Sequence, residues 1–320
     1  MGFSLIELMV TSLIMGVILT YLFESFSTYH RTGEVVAQVT ESQQNSRAIA
    51  GLIEHDIRHA GMMVPGGAAF CGVDSTTAAD IIYLSDADAI DPTTSMSNDL
   101  GSTFVGSNVS NGGNTIDLDL SLETPANFAY DTDGDGTPDS DFRVGGGIII
   151  IDRGNPVRGA ACGTVTGVDP AGAQIKVDLV TPVLAAPPGP PVDLVAIPAH
   201  EYRIVNLTLM RNNMALAMGV EDLQAAYFFD DNDNNVVDAG EYRGDGVGAN
   251  YAANALNAED AREIRITFVT RTRNEDAKFP AGRFQSAENR AVVGAADGFR
   301  RRVHTSTIEL RNLLIRQSSI

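Results

Sequence analysis

The opening segment constrains this chain more than any other. Phe3 to Phe23, FSLIELMVTSLIMGVILTYLF, runs 21 residues with a single charge. As a helix it would be about 31 Å long, enough to cross the hydrocarbon core of a bilayer. A cleavable secretory signal is the rival reading and fits poorly. No basic region precedes the apolar run, no small-x-small site follows it, and helical patterning continues past its end. Flanking Lys and Arg cannot set the orientation, because only Met1 and Gly2 come before the run. The charge is Glu7, which costs on the order of 2.5–3.5 kcal/mol in a membrane helix unless it reaches the interface or finds a partner.

After Phe23 the chain turns polar without losing its rhythm. Val35, Val39, Ser46, Ile49, Ile53, Ile57 and Ala60 fall mostly three to four apart, with Glu34, Glu41, Gln43, Arg47, Glu54 and Arg58 between them. Gly61 and Pro65 stop the pattern. The prediction is one helix in two parts, a membrane half at 3–23 and an amphipathic half at 24–61. Its 59 residues from Phe3 to Gly61 would span about 88 Å. Gly16 and Gly33 could loosen it locally. No heptad run is sustained, which weighs against a coiled coil.

Residues 62–320 read as a β-rich globular domain. Strand signals occur at Ile81–Leu84, Thr115–Leu120, Gly147–Ile151, Gln174–Val180, Tyr202–Val205, Leu207–Met210, Glu263–Val269 and Ser306–Leu310. They do not alternate with helices, so the sheet is expected to be mainly antiparallel. The fold class is therefore α+β: a long N-terminal helix on an antiparallel β domain with long loops. Pro182 to Pro198 holds six prolines and reads as an extended surface connection. Lys and Arg total 22 against 41 Asp and Glu, a formal net of -19. Nucleic acid and anionic membrane surfaces are poor partners for such a chain, and cations are better ones.

Two acidic loops give that charge a local form. The first is Asp131-Thr132-Asp133-Gly134-Asp135-Gly136-Thr137-Pro138-Asp139-Ser140-Asp141. Asp131, Asp133, Asp135, the Thr137 carbonyl and Asp139 occupy the ligand places of an EF-hand calcium loop, with Gly136 at the sharp turn. Position twelve is Phe142, so Asp141 would have to replace the usual Glu. In the second loop the ligand places fall at Asp230, Asn232, Asn234, the Val236 carbonyl, Asp238 and Glu241, with Asn235 where glycine is expected. A solvated Asp/Asn turn explains the same composition without a metal. Mutual repulsion among the first loop's five Asp favours a cation, so one or two calcium ions are expected. Strands rather than helices flank the loops, so no signalling-type opening is expected.

The N-terminal residues Gly2-Phe3-Ser4-Leu5-Ile6-Glu7-Leu8-Met9-Val10 resemble the type III signal of type IV prepilins and secretion pseudopilins. The resemblance implies cleavage after Gly2 by a prepilin peptidase and methylation of Phe3 as the mature N-terminus. It also implies a pairing of Glu7 with the N-terminal amine of a neighbouring subunit during assembly. Met1–Gly2 reads as a residual leader, shorter than the family's basic ones. Glu41 to Arg47, His55 to Met62 with Cys71, Leu209-Met210-Arg211, Met218 to Gln224 and Phe299 to Asn312 resemble the PilW minor pilins. The pseudopilin GspJ shares that architecture and is usually shorter.

A PilW-like minor pilin implies a low-abundance subunit that primes pilus assembly and sits at or near the tip. Its partners would be other pilins through the N-terminal helix, the inner-membrane assembly platform, and a tip adhesin. It would lie in the inner membrane with a periplasmic domain, then at the cell surface in a pilus serving adhesion and twitching motility. The alternatives are a type II secretion pseudopilin and a calcium-dependent adhesive module. In an exported chain Cys71 and Cys162, which form no zinc spacing, would close a 91-residue loop as one disulfide; two buried free thiols are the other reading. An enzyme is the poorest reading. His30, His55, His59, His200 and His304 form no motif with a nucleophile, and neither GxSxG nor a phosphate-binding glycine loop occurs. His55 and His59 could hold a metal at i, i+4, although surface packing is the simpler role, with Asp56 linked to Arg58 or His59.

Overall fold

The computed structural model describes residues 4–89, 102–103, 115–119, 136, 140–169, 174–181, 194–232, 234, 236–276, 278–279, 281–291 and 294–313. Its one long helix, α1, spans Leu5–His59 without a break, 55 residues or about 82 Å. The hydroxyls of Thr11, Thr20, Thr32 and Thr40 donate to carbonyls four residues back at 2.8 Å, so they need no outside partner. Arg58 and His59 in the last turn complement the helix dipole. Gly61 then turns the chain at φ +80°, where a Cβ would also stand 2.9 Å from Leu313 Cδ2. Two unlike halves make up the helix. Every large apolar side chain from Leu5 to Phe26 is exposed, whereas Ser46, Ile49, Ala50, Ile53, Asp56 and Ile57 form one buried stripe.

Two sheets receive that stripe, and all pairings between their named strands are antiparallel, as expected. The larger comprises β1 (Phe70–Val73), β2 (Ile81–Leu84), β3 (Ser102–Thr103), β4 (Thr115–Asp119), β5 (Gly147–Asp152), β6 (Ala160–Asp169), β7 (Gln174–Leu179), β8 (Leu194–Val205), β9 (Thr208–Arg211) and β10 (Met214–Met218). Its main order is β1-β2-β8-β5-β6-β7-β4, with β9 on β8 and β10 on β9. The smaller holds β11 (Val220–Phe229), β12 (Tyr242–Arg243), β13 (Ala261–Arg271) and β14 (Arg301–Glu309) in the order β12-β11-β13-β14. Helix α1 packs on β13, β14 and β10. Ile53, Ile57, Tyr202, Leu223, Ile264 and Phe268 join helix and both sheets in one core. A stack of Phe70, Tyr227 and Tyr251, with centroids 5.2 and 4.0 Å apart, fills its far end.

The Pro-rich connection is corrected at its end. Leu194 to Pro198 is strand, not surface loop, and opens β8, which pairs with β5 through Ile197↔Ile149 and Pro198↔Ile148. Val195, Ala196 and Ile197 are fully buried, because this strand is covered on both faces. The Pro198 carbonyl accepts from Ser85 Oγ at 2.6 Å.

Cys71 and Cys162 form the expected disulfide, with Cα atoms 6.1 Å apart. Cys71 lies in β1 and Cys162 in β6, four strands along the sheet order. A flat sheet would hold them about 19 Å apart at normal strand spacing. The sheet must therefore curl strongly, and the bridge fastens its edge strand across the interior.

Candidate assembly surface and acidic loop

Among the described residues one helix, Leu5–His59, is long and apolar enough to cross a membrane, and its most apolar stretch touches nothing else in the chain. Tyr29, 81% exposed, shows that the uncovered region extends past that stretch. Glu7 lies in its first turn, where Oε2 accepts from the Ser4 N–H at 3.0 Å. A carboxylate there is favoured by the N-terminal end of the dipole, and the bond holds it at the tip of the helix. Gly2 and Phe3, assigned to processing, lie outside the described residues.

The amphipathic half is fastened by polar contacts that the sequence did not show. Asp56 does not pair with Arg58 or His59. Its buried carboxylate Oδ2 accepts from Tyr202 Oη at 2.6 Å and Arg211 Nη2 at 2.7 Å, both from the large sheet. Arg58 instead bonds Glu54 at 2.9 Å on the surface. The reason is helical phase: Asp56 adjoins Ile57 and Ile53 in the buried stripe, while Arg58 points away from it. Nearer the membrane half, Ser42 and Ser46 bond Thr270 at 3.0 and 2.9 Å, and Arg273 bonds Glu41 at 2.6 Å. Asn312 closes the base by donating to the carbonyls of Arg58 and Ala60 at 3.1 and 3.3 Å. The His55 and His59 ring centroids lie 4.2 Å apart with the planes tilted by 33°, and His59 Nδ1 lies 2.8 Å from the His55 carbonyl.

Beside this clamp burial shifts two further groups. Asp86 is pushed up to about 6 by desolvation and the nearby Asp56 charge, and His200 is pushed down to about 4 by desolvation and Arg211. His200 Nε2 stands 3.7 Å from Asp86 Oδ1.

The second acidic loop folds back on itself. The Asn234 N–H donates to Asp230 Oδ1 at 2.9 Å and Asn232 Oδ1 at 3.0 Å. Asp238 Oδ2 accepts from the side chains of Asn232 at 3.2 Å and Asn234 at 2.7 Å, and its N–H donates to Glu241 Oε2 at 2.6 Å. The Val236 N–H donates to Asn234 Oδ1 at 2.7 Å, so all six assigned ligand residues are linked by hydrogen bonds. Asp230 is fully buried and its Oδ2 also pairs with Arg262 at 2.6 Å, a cation the sequence reading did not place there. Among the described residues, no three His, Cys, Asp or Glu side chains converge well enough to hold a metal ion. Of the first loop, Asp131, Asp133, Asp135, Thr137 and Asp139 lie outside the described residues. Gly136 has φ +85°, the left-handed conformation its turn position calls for, and Asp141 is buried.

Two stretches that carried the PilW resemblance meet in space. Arg301 on β14, 4% exposed, bonds Glu221 on β11 at 2.5 Å and Asp297 at 2.7 Å. Arg271 on β13 lies between those strands and bonds Glu221 at 3.3 Å. Arg300 bonds Asp276 at 2.9 Å and holds it below the usual carboxylate range; Arg301 does the same to Asp297. The arginine run is therefore a clasp within the fold, joining segments some 80 residues apart.

The family model of type IV pilus-assembly protein W (PilW) matches residues 199–312, which run from β8 past β14. No curated protein matches the chain. A solved type IV-like pilin from Thermus thermophilus is similar at 12% identity and a TM-score of 0.25, over 54% of this chain and 88% of that one. The family match falls on the stretches from Leu209 to Asn312 that carried the PilW resemblance, and over residues 199–312 the chain is similar to the PilW family.

Proposed function

We propose that the chain is a minor pilin that primes assembly of a type IV pilus and is built in at or near its tip. The observation that carries the reading is the contrast along α1: an apolar half with nothing covering it, joined to a domain with the PilW match. An uncovered helix of that kind is stable in a bilayer or in a sheath of like helices, not in water. Glu7 would leave Ser4 for the protonated amine of a neighbour's Phe3, a charged pair strengthened by low dielectric. Cleavage after Gly2 by the prepilin peptidase and passage through the assembly platform would precede that pairing. The test is Glu7→Gln in cells that assemble the filament. The variant should be processed and membrane-held yet missing from sheared pili; normal incorporation would refute the role.

Within this reading the acidic loops bind calcium, and Asp230, Asn232, Asn234, the Val236 carbonyl, Asp238 and Glu241 would hold one ion. Support comes from ligand spacing and from the hydrogen bonds that already gather those six residues. Rotating the Asn232 and Asn234 amides would turn oxygens toward Asp238. Bound calcium would cross-link the loop and offset part of the -19. Arg262 competes for Asp230, which argues for a weak site suited to millimolar calcium. Titration calorimetry of the full chain in detergent should give binding heat that falls in Asp238→Ala. Unchanged heat would leave only the first loop, and no heat at all would remove the metal from both.

The nearest competing readings are a secretion pseudopilin and an adhesive module. Deleting the gene separates them. Lost pili indicate priming, lost secretion a pseudopilus, and intact pili without attachment a binding role.

A further inference from the structure

Strand β10, Met214-Ala215-Leu216-Ala217-Met218, carries no charge in a chain that is 20% charged. Among the described residues it pairs with β9 alone, and no second strand lies on its other edge. Met214, Leu216 and Met218 are 62%, 36% and 75% exposed. Native edge strands are normally protected by lysine, proline or a cover. Here α1 packs against part of the strand and a bulge at Leu216 shifts the register with β9, yet both methionines stay exposed. An apolar, methionine-rich edge with no second strand among the described residues is suited to being covered on assembly.

We propose that β10 is a strand-addition site for a short extended segment of a different pilin-like subunit. This rests on the reading of the chain as a filament subunit. Position favours such a partner. Met218 lines one groove, about 240 Å³, together with Gln38, Glu41, Ser42 and Asn45 of α1. The open edge therefore continues the surface of the helix by which all subunits stand side by side in the membrane. Charge weighs against a second copy, since pairing would bring two chains of -19 together. The bulge limits pairing to about two residues on either side of Leu216, so a short strand fits, with apolar side chains to meet the methionines.

The test uses full-length chains in cells that assemble the filament. Met214→Cys and Met218→Cys are labelled with a thiol reagent in the detergent-extracted subunit and in purified pili. Val247→Cys, 88% exposed on another loop, is the control. Labelling at both β10 positions should fall at least tenfold in pili while the control stays equal. Leu216→Lys should unfold at the wild-type urea midpoint yet be depleted from pili. Equal labelling in both states overturns the site, and so does a disulfide-linked dimer of Met214→Cys, because the occupant is then a second copy. Absence of the wild-type chain from pili overturns the filament reading itself, a result distinct from a wild-type chain incorporated with its β10 still open.

Discussion

Asp56→Ala is the most exacting test of how the helix is held. The substitution removes a carboxylate that is 1% exposed and serves both Tyr202 and Arg211. Breaking one side of a buried pair costs about 3–5 kcal/mol, because the partner is left charged and unsatisfied. The Arg211 side chain is 20% exposed, so water recovers part of that loss. The expected cost is the lower end, about 3 kcal/mol. Tyr202→Phe removes one hydrogen bond to a charged group and should cost about 1.5–3 kcal/mol. Glu54→Ala breaks only the exposed Arg58 pair one turn earlier and should cost about 0.3–0.5 kcal/mol. Urea unfolding of the full chain in detergent, followed by circular dichroism at pH 7, separates these values. The double variant Asp56→Ala/Arg211→Ala should show a coupling above about 1 kcal/mol. If Asp56→Ala costs no more than Glu54→Ala, the pair does not hold the helix, and burial of the Ile49–Ile57 stripe must do so alone.

Three further outcomes follow from particular contacts. Reducing the Cys71–Cys162 bridge opens a 91-residue loop and should cost about 4–5 kcal/mol on the chain-entropy model, read as a lower urea midpoint in dithiothreitol that Cys71→Ser/Cys162→Ser reproduces. Burial pushes Asp80 up to about 8, against the N–H groups of Ser75 and Ala225 that pull it down. The folded state thus holds a proton that the unfolded chain releases near pH 4, so this group's contribution to stability falls as pH rises from there through 8. Asp80→Asn should flatten the decline between pH 6 and 8.5, and parallel wild-type and variant curves would refute it. At Gly72 a Cβ would stand 2.7 Å from the Ile81 carbonyl and 2.9 Å from Tyr227 Oη. Gly72→Ala should therefore cost about 1–3 kcal/mol in the same assay.

The sequence by itself determined α1, because a 21-residue apolar run and the three-to-four rhythm beyond it depend only on local order along the chain. The end of the helix was legible for the same reason, since Gly61 and Pro65 act within a turn of themselves. Alternating or continuous β-branched runs, such as Gly147–Ile151 and Glu263–Val269, were visible as strands, which the structure extends to Gly147–Asp152 and Ala261–Arg271. Strand β6, whose start is Ala160-Ala161-Cys162-Gly163, and β11, with Glu221, Asp222 and Gln224, were not. Small and polar residues have weak strand preference, and both strands are fixed by the neighbours they pair with. The Pro-rich stretch hid the start of β8 because burial on both faces overrode the local signal of proline.

Only the tertiary structure decided which charges meet. Asp56 faces Arg211 across 155 positions rather than Arg58 two away, since burial selects the partner on the opposing sheet. Arg262 stands at Asp230, and Arg301 closes on Glu221, through strand registers that no spacing rule encodes. The open edge of β10 is likewise a property of sheet order. Five uncharged residues could equally have been an interior strand, and the topology left them at the rim.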